Sequence, residues 1–287
     1  ITGIAIKEGS RPDNVEYEYS DEFNPAGLTI VVTYDNDETE EIAATKDNFT
    51  WGALNTVSDN VTVTGTLNGT NLTVPVTGIT VNRKQITANV ELVNPNEEFV
   101  YDGNAKTPPV KVTFRLRIND EYELLPASEY TVSYERNVNA SGQSTQAIVK
   151  VTSTDSSNYK ITSGETANFY IAPKSVKISG VQSQDKPFDG TTEAAVKGNY
   201  VIEGKVGNDD VTVKVGSASF NSAFVDKATT VSFTGFELQG TAAKNYKLED
   251  QPAPVSAKIT TKALTLNGLT VEKTRQYDGT NAAEITN

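Results

Sequence analysis

The stretch Phe188-Asp189-Gly190 is one of three places where an aromatic residue is followed by Asp and Gly. The other two are Tyr101-Asp102-Gly103 and Tyr277-Asp278-Gly279, so the spacings are 188 − 101 = 87 and 277 − 188 = 89 residues. Self-similarity at a nearly fixed period is the mark of a repeated structural unit. The sequence therefore predicts that much of the chain is built from copies of one module.

A second landmark, Asn-Tyr-Lys, begins at Asn158 and again at Asn245, 245 − 158 = 87 residues later. A third is a Lys-led segment that begins at Lys84, Lys174 and Lys262. These landmarks divide the 287 residues into four predicted parts. They are 1–83, 84–173, 174–261 and 262–287, of which the last is the opening of a further copy. Since the chain begins at Ile1 and contains no Met, we expect a fragment or a processed chain.

The hydrophobic pattern predicts strands. Apolar residues alternate with polar ones at a period of two, which is typical of half-buried strands. The clearest segments are 28–34, 61–65, 130–134, 147–152, 211–215 and 231–238. Turn-forming residues such as Asn68-Gly69 separate them, and no helical stretch is convincing. We predict an all-β chain of tandem small β-sandwich modules in an elongated array, because the connectors hold no flexible Gly/Ser tract.

Composition excludes several classes of function. The chain has no Cys and no His, so it has no disulfide framework, no thiol nucleophile and no Ser-His-Asp triad. The net charge is −12, and residues 1–82 carry 13 acidic and 3 basic side chains, a net of −10. Such a charge opposes nucleic-acid binding. No apolar run is long enough to insert into a membrane.

The repeat landmarks carry a family resemblance. Residues 174–261 resemble a YDG domain of bacterial surface proteins, through Phe188-Asp189-Gly190, residues 207–211 and Asn245-Tyr246. Residues 84–173 resemble the related MBG-type module. Residues 1–83 resemble a bacterial Ig-like domain, through residues 23–28 and the turn after Tyr34. A β-grasp-like fold stays open as the alternative to a sandwich for the later modules.

The resemblance implies a non-enzymatic, monomeric region of a large protein at the bacterial cell surface or cell wall, without catalytic residues, metal or cofactor. The first functional hypothesis is an extracellular stalk or spacer. The second is an adhesive module that binds a host or cell-surface glycan or protein. The third is an accessory region of a secreted polysaccharide-degrading enzyme.

Trp51 is the one residue that we predict as a ligand-binding position, because an exposed aromatic ring can stack on a sugar. The competing interpretation of a single Trp is a core or half-buried side chain. Acidic residues 35–41 and Asp209-Asp210 are possible Ca²⁺ ligands by their oxygen chemistry, but solvated hairpin tips are the better interpretation because neither run has an EF-hand register.

The Asp of the aromatic-Asp-Gly tripeptide is interpreted as a turn residue. Its side chain can accept a hydrogen bond from the backbone two residues on, and Gly tolerates a positive φ. We expect the preceding aromatic ring to anchor the turn in a core. The recurring Lys84, Lys174 and Lys262 raise the hypothesis of an internal Lys–Asn isopeptide bond, against the simpler interpretation of a charge at a module junction.

Overall fold

The computed structural model describes residues 1–116, 120–142, 144–271, 274–282 and 285–286. The protein is nearly all β, with 47% of residues in strands, which confirms the predicted class. Within the described ranges, helix is confined to two three-residue 3-10 segments, Ala127–Glu129 and Ala243–Asn245. None of the described helices has the length and hydrophobicity needed to span a membrane.

The chain folds into two compact units. The first comprises Ile1–Phe99 and Asn104–Ala172, and the second comprises Val100–Gly103 and Pro173–Asn287. The division into four sequence modules stays a prediction.

The first half of the first unit, residues 1–82, contains seven strands. They are β1 (Gly3–Ile6), β2 (Glu16–Glu18), β3 (Thr29–Thr33), β4 (Thr39–Ala43), β5 (Phe49–Trp51), β6 (Ser58–Leu67) and β7 (Thr73–Asn82). One sheet has the antiparallel order β1-β3-β4. The other has the order β2-β7-β6-β5, with β2 parallel to β7.

The core of this half takes side chains from both sheets. Ile30 of β3 belongs to the same buried cluster as Val63 of β6 and Ile79 of β7. Because successive strand residues point to opposite faces, alternation places these apolar side chains inward. Each buried Ile or Val contributes about 1.5–3 kcal/mol relative to an exposed one. The two sheets therefore pack face to face on a shared apolar layer.

The second half of the first unit repeats this plan. Its strands are β8 (Lys84–Leu92), β9 (Phe99–Val100), β10 (Val110–Arg115), β11 (Glu123–Leu124), β12 (Tyr130–Glu135), β13 (Ala147–Ser153), β14 (Tyr159–Ser163), β15 (Thr166–Phe169) and β16 (Ile171–Ala172). One sheet has the order β11-β10-β8-β14, and the other has the order β12-β13-β15. Ile86 and Val112 of the former share a buried cluster with Val151 of the latter.

The second unit continues with shorter strands. They are β17 (Lys174–Gln182), β18 (Lys186–Pro187), β19 (Glu193–Ala194), β20 (Lys197–Glu203), β21 (Thr212–Lys214), β22 (Ser217–Phe220), β23 (Thr230–Thr234), β24 (Glu237–Gln239), β25 (Tyr246–Leu248), β26 (Val255–Ser256), β27 (Ile259–Thr260), β28 (Thr270–Val271) and β29 (Ile285–Thr286). The larger sheets have the orders β20-β17-β25 and β19-β22-β23-β26. Ile178, Val231 and Ile259 belong to one buried cluster.

One predicted strand is divided in the structure. Residues 231–238 were expected to form a single strand, but β23 ends at Thr234 and β24 begins at Glu237. Gly235 adopts a φ of +72°, a left-handed conformation that interrupts extended backbone. Phe236, only 2% exposed, inserts into the core at that break. The prediction of one continuous strand was wrong for this reason.

The sequence landmarks occupy matching positions in β8 and β17. Lys84 at the start of β8 lies opposite Tyr159 in a parallel pair with β14. Lys174 at the start of β17 lies opposite Tyr246 in a parallel pair with β25. Two sequence landmarks that are far apart along the chain are therefore neighbours in the sheet, in the same register both times.

Candidate functional site

Trp51 is the last residue of β5 and lies opposite Gly65 of β6 in the antiparallel ladder. A Cβ atom built on Gly65 would lie 2.5 Å from the indole ring, so the ring rests directly on the backbone of β6. Only glycine leaves room for this contact, since every other residue carries a Cβ there. The orientation of Trp51 is thereby set by its neighbouring strand.

Two further aromatic rings hold Trp51 in place. The ring centroids of Phe23 and Phe49 lie 4.9 Å and 5.5 Å from that of Trp51. Both phenylalanines are buried, whereas Trp51 is half-buried and packs against the core cluster. The indole Nε1 is enclosed and has no acceptor within hydrogen-bond distance among the described residues. Trp51 is thus partly a core residue, and its role in ligand binding stays a prediction.

An open cavity of about 360 Å³ lies beside this aromatic cluster. Its lining combines the three aromatic rings with polar and charged groups from three loops. The lining residues are Ser20, Asp21, Glu22, Phe23, Lys46, Phe49, Trp51, Gly52, Ala53 and Asn55. The volume falls in the range of small-molecule sites.

The charged groups of this cavity are paired. Lys46 contacts Glu22 through an ion pair of 2.5 Å between exposed side chains. Lys84 Nζ donates to Asp21 at 2.6 Å and lies 3.3 Å from Glu18. Burial acts to raise the pKa of Asp21, but hydrogen bonds from Lys84 and from the Glu18 amide outweigh it, so that pKa is lowered. The cavity lining therefore carries two acidic groups and one basic group, and Lys84 contacts one of the acids from outside the lining.

The Lys84 ion pairs also bear on the isopeptide hypothesis. A Lys–Asn bond needs a neutral amine beside a carboxamide, but two carboxylates surround the Lys84 ammonium. Burial acts to lower the pKa of Lys84, and hydrogen bonds from Asp21 and Glu18 more than reverse this, so the pKa is raised. A nearby acid is part of the hypothesis, so these contacts do not decide it, and the isopeptide bond stays a prediction for Lys84, Lys174 and Lys262 alike.

The aromatic-Asp-Gly tripeptides form turns, as predicted. Asp189 Oδ1 accepts hydrogen bonds from the Thr191 backbone N–H at 2.9 Å and from its hydroxyl at 3.0 Å. Asp278 and Thr280 make the same two contacts at the same distances. The third residue has a positive φ in each copy, +83° at Gly103 and +81° at Gly190. This confirms the turn interpretation of the Asp.

The aromatic residue of the tripeptide behaves differently in each copy. Tyr101 is 4% exposed, Phe188 is 38% exposed and Tyr277 is 96% exposed. The expectation that this ring anchors its turn in a core is confirmed for Tyr101 alone. It was wrong for the other two, because the turn geometry that the copies share is local and does not supply a partner for the ring.

Tyr101 is buried by a polar cluster that sequence reasoning missed. Its hydroxyl donates to Asp209 Oδ2 at 2.8 Å, and the Tyr246 hydroxyl donates to the same oxygen. The Tyr246 hydroxyl in turn accepts from the Val206 backbone N–H at 2.9 Å. Burial and the bond to Asp209 raise the pKa of Tyr246 to about 12. The repeated Asn-Tyr landmark singles out Tyr246 in the sequence. The spacing of the landmarks does not show that Tyr246 shares Asp209 with Tyr101.

The two acidic runs differ from one another. Residues 35–41 are exposed around the β3–β4 turn, where Asp37 has a φ of +63°, as expected for a hairpin tip. Asp209 instead accepts the two tyrosine hydroxyls, and Asp210 accepts from the backbone and hydroxyl of Thr241, both at 2.9 Å. The interpretation as a solvated tip therefore fits the exposed Asp210, but it was wrong for Asp209, which is half-buried and held by two tyrosine hydroxyls. No cluster of three or more potential metal-ligating side chains occurs in the described part of the chain.

Part of the chain matches a known family. A family model described as YDG domain matches residues 172–254, which include Phe188-Asp189-Gly190, Asp209 and Tyr246. This confirms the YDG part of the predicted resemblance, while the Ig-like and MBG-type parts stay predictions. No curated protein matches the chain.

Proposed function

We propose that this chain is a non-enzymatic stalk or spacer region of a larger extracellular protein at the bacterial cell surface or cell wall, built from an Ig-like module and MBG- and YDG-type repeats. The observation that supports this function best is the junction inside the first unit. There, β7 ends at Asn82 and β8 begins at Lys84, so only Arg83 separates them. A spacer transmits distance only if such junctions resist bending.

Side chains bridge this junction, and one backbone hydrogen bond on each side holds the connecting strands to their own half. The Tyr19 amide donates to the Asn82 carbonyl at 2.8 Å, and the Lys84 amide donates to the Asn158 carbonyl at 2.9 Å. The rings of Tyr19 and Tyr159 meet edge to face, with centroids 5.5 Å apart. Such an aromatic pair contributes about 0.5–1.5 kcal/mol beyond its buried area.

The Lys84 ion pairs add a second bridge. Lys84 is 21% exposed in its side chain, and its partners Glu18 and Asp21 are each 35% exposed. Partly exposed pairs of this kind contribute about 0.2–1 kcal/mol each, and less at high salt. The ring contact and the ion pairs together favour one orientation of the two halves.

Spin-label distances test the stiffness of this junction. The chain has no Cys, so Asn36→Cys with Asn94→Cys places one label on each half without competing thiols. We expect one narrow distance distribution in the full chain. Adding Tyr19→Ala and Lys84→Ala should broaden it, whereas adding Lys46→Ala, which removes an exposed ion pair elsewhere, should not. A broad distribution in the otherwise unchanged chain would overturn the spacer proposal.

An adhesive module is the second candidate function, and the cavity beside Trp51 favours it. An accessory role in a polysaccharide-degrading enzyme has no comparable support in the fold. The sequence flanking this region in its gene tests that third hypothesis, since a neighbouring glycosidase domain is its direct requirement.

A further inference from the structure

We propose that the cavity beside Trp51 binds a neutral pyranose unit of a glycan. The proposal deepens the adhesive candidate and is independent of the spacer proposal. The cavity volume of about 360 Å³ is enough for one sugar ring with its hydroxyl groups, and it is too small for a folded protein segment.

The aromatic wall is pre-organised. Trp51 rests on Gly65 and is held by Phe23 and Phe49, which are 3% and 2% exposed. A ring fixed in advance loses little conformational entropy when a ligand stacks on it. Aromatic side chains with an apolar body and a polar edge suit ligands that have both kinds of surface. The C–H face of a pyranose ring is such a surface.

The polar rim is also constrained. Ser20 adopts a φ of +64°, a left-handed conformation that non-glycine residues avoid, and its amide donates to the Leu54 carbonyl at 2.9 Å. Strain of this kind persists only where the surrounding structure enforces it, and it concentrates at binding sites. The Ser20–Leu54 bond holds two of the lining loops together. Asn55, exposed on the second of these loops, supplies a carboxamide that can both donate and accept.

Charge favours a neutral ligand over an anionic one. Glu22 pairs with Lys46, and Asp21 shares Lys84 with Glu18, so three carboxylates and two lysines leave a net negative charge beside the cavity. The surrounding residues 1–82 carry 13 acidic and 3 basic side chains, which repel anionic sugars. A saccharide with hydroxyl groups only, or with N-acetyl groups, avoids this repulsion.

The indole N–H supplies one further donor. Trp51 Nε1 is enclosed without an acceptor among the described residues, and an unmade hydrogen bond at a buried donor is unfavourable. Because this N–H belongs to a ring that lines the cavity, its environment is expected to change when a ligand occupies the cavity.

Trp51 makes the test specific, because it is the only Trp in the chain and gives a single indole N–H signal. The full chain is titrated with cellopentaose, maltopentaose and tri-N-acetylchitotriose as neutral probes, and with trigalacturonic acid as the anionic probe. The indole signal is followed by NMR, and Trp fluorescence is recorded in parallel. We expect a saturable shift with at least one neutral probe and none with the anionic one.

Two asparagine variants decide whether the response belongs to the cavity. Asn55→Ala should weaken binding about five- to tenfold, as for the loss of one hydrogen bond. Asn36→Ala, at the β3–β4 hairpin tip, should leave binding unchanged. Each of three results would overturn the proposal. They are no shift of the indole signal with any neutral probe, a shift only with trigalacturonic acid, and equal binding by Asn55→Ala and the unaltered chain. None of these results would alter the spin-label distances that test the spacer.

Discussion

The turns at Tyr101 and Phe188 have the same tripeptide pattern and a Gly with almost the same positive φ, yet their aromatic rings have opposite surroundings. Tyr101 packs edge to face on Tyr246 and donates to Asp209. Phe188 lines an open apolar cavity of about 650 Å³ together with Phe224 and Leu264, which are 62% and 89% exposed. The turn motif therefore specifies the backbone conformation, and the surrounding residues decide whether its aromatic ring is buried.

The Asp and the Gly specify the turn without help from the rest of the fold, because their effects reach only two residues along the chain. The aromatic ring acts at longer range, so its contribution depends on whether another segment supplies a partner. In the second unit, the residues around Asp209 and Tyr246 supply it for Tyr101. The same ring type therefore has a large energetic role in one turn and a small one in the other.

Replacing each ring by Ala should produce the largest difference between the two turns. Tyr101→Ala removes a buried aromatic ring and should cost about 3–5 kcal/mol, while Phe188→Ala should cost about 1 kcal/mol. Hydrogen exchange in peptides that cover residues 206–211 and 246–248 measures both. Comparable protection in the two variants would show that the Tyr101 contacts carry little free energy.

Alanine at the two turn glycines should give an intermediate difference. Both positions have a left-handed φ, which costs a non-glycine residue about 1–2 kcal/mol. A Cβ at Gly103 would also lie 3.0 Å from Val206, whereas none of the described atoms lies within 4 Å of one at Gly190. Gly103→Ala should therefore destabilise the protein more than Gly190→Ala, as measured by thermal unfolding followed by circular dichroism. The reverse order would contradict the packing described around Gly103.

Acid should weaken the Tyr101 cluster through Asp209. Hydrogen bonds from Tyr246 and Tyr101 lower the pKa of Asp209 below its ordinary value of 3.8. The stabilisation is therefore complete above about pH 5 and is lost as the pH falls through the lowered pKa. Asp209→Asn should flatten this acid dependence in hydrogen exchange of residues 206–211. Asp226→Asn, an exposed Asp of the same unit, is the matched control.

The smallest effect on stability is expected from replacing Lys186, which contacts the Phe188 turn. Lys186 Nζ donates to Asp189 at 3.0 Å and to the Thr191 hydroxyl at 2.9 Å. Lys186 and the Thr191 amide lower the pKa of Asp189 to about 2. Lys186→Gln should raise this pKa toward 3.8 with little change in unfolding temperature. A carboxyl NMR titration measures the shift, and Lys177→Gln, which removes another lysine charge from that unit, should leave it unchanged.

Sequence analysis succeeded where the physical cause was local. Alternation in segments such as 130–134 and 147–152 anticipated β12 and β13, because burial on one face of a strand leaves a period of two. It failed at 231–238, where the apolar positions shift by one residue across Gly235, from 231 and 233 to 236 and 238, and the chain turns there. It also could not choose between a sugar platform and a core position for Trp51, since Gly65 and Phe23 contact the ring from distant positions in the sequence.

By itself, the sequence determined the all-β class, the Asp-Gly turns and the recurrence of landmarks about 87 residues apart. These depend on side-chain periodicity and on backbone preferences within a few residues. Only the tertiary structure decided that Asp209 joins two tyrosines, that Lys84 bridges to Asp21, and that a cavity lies beside Trp51. Each of these joins residues separated by tens of positions, and their proximity results from sheet order and packing, which no local pattern specifies.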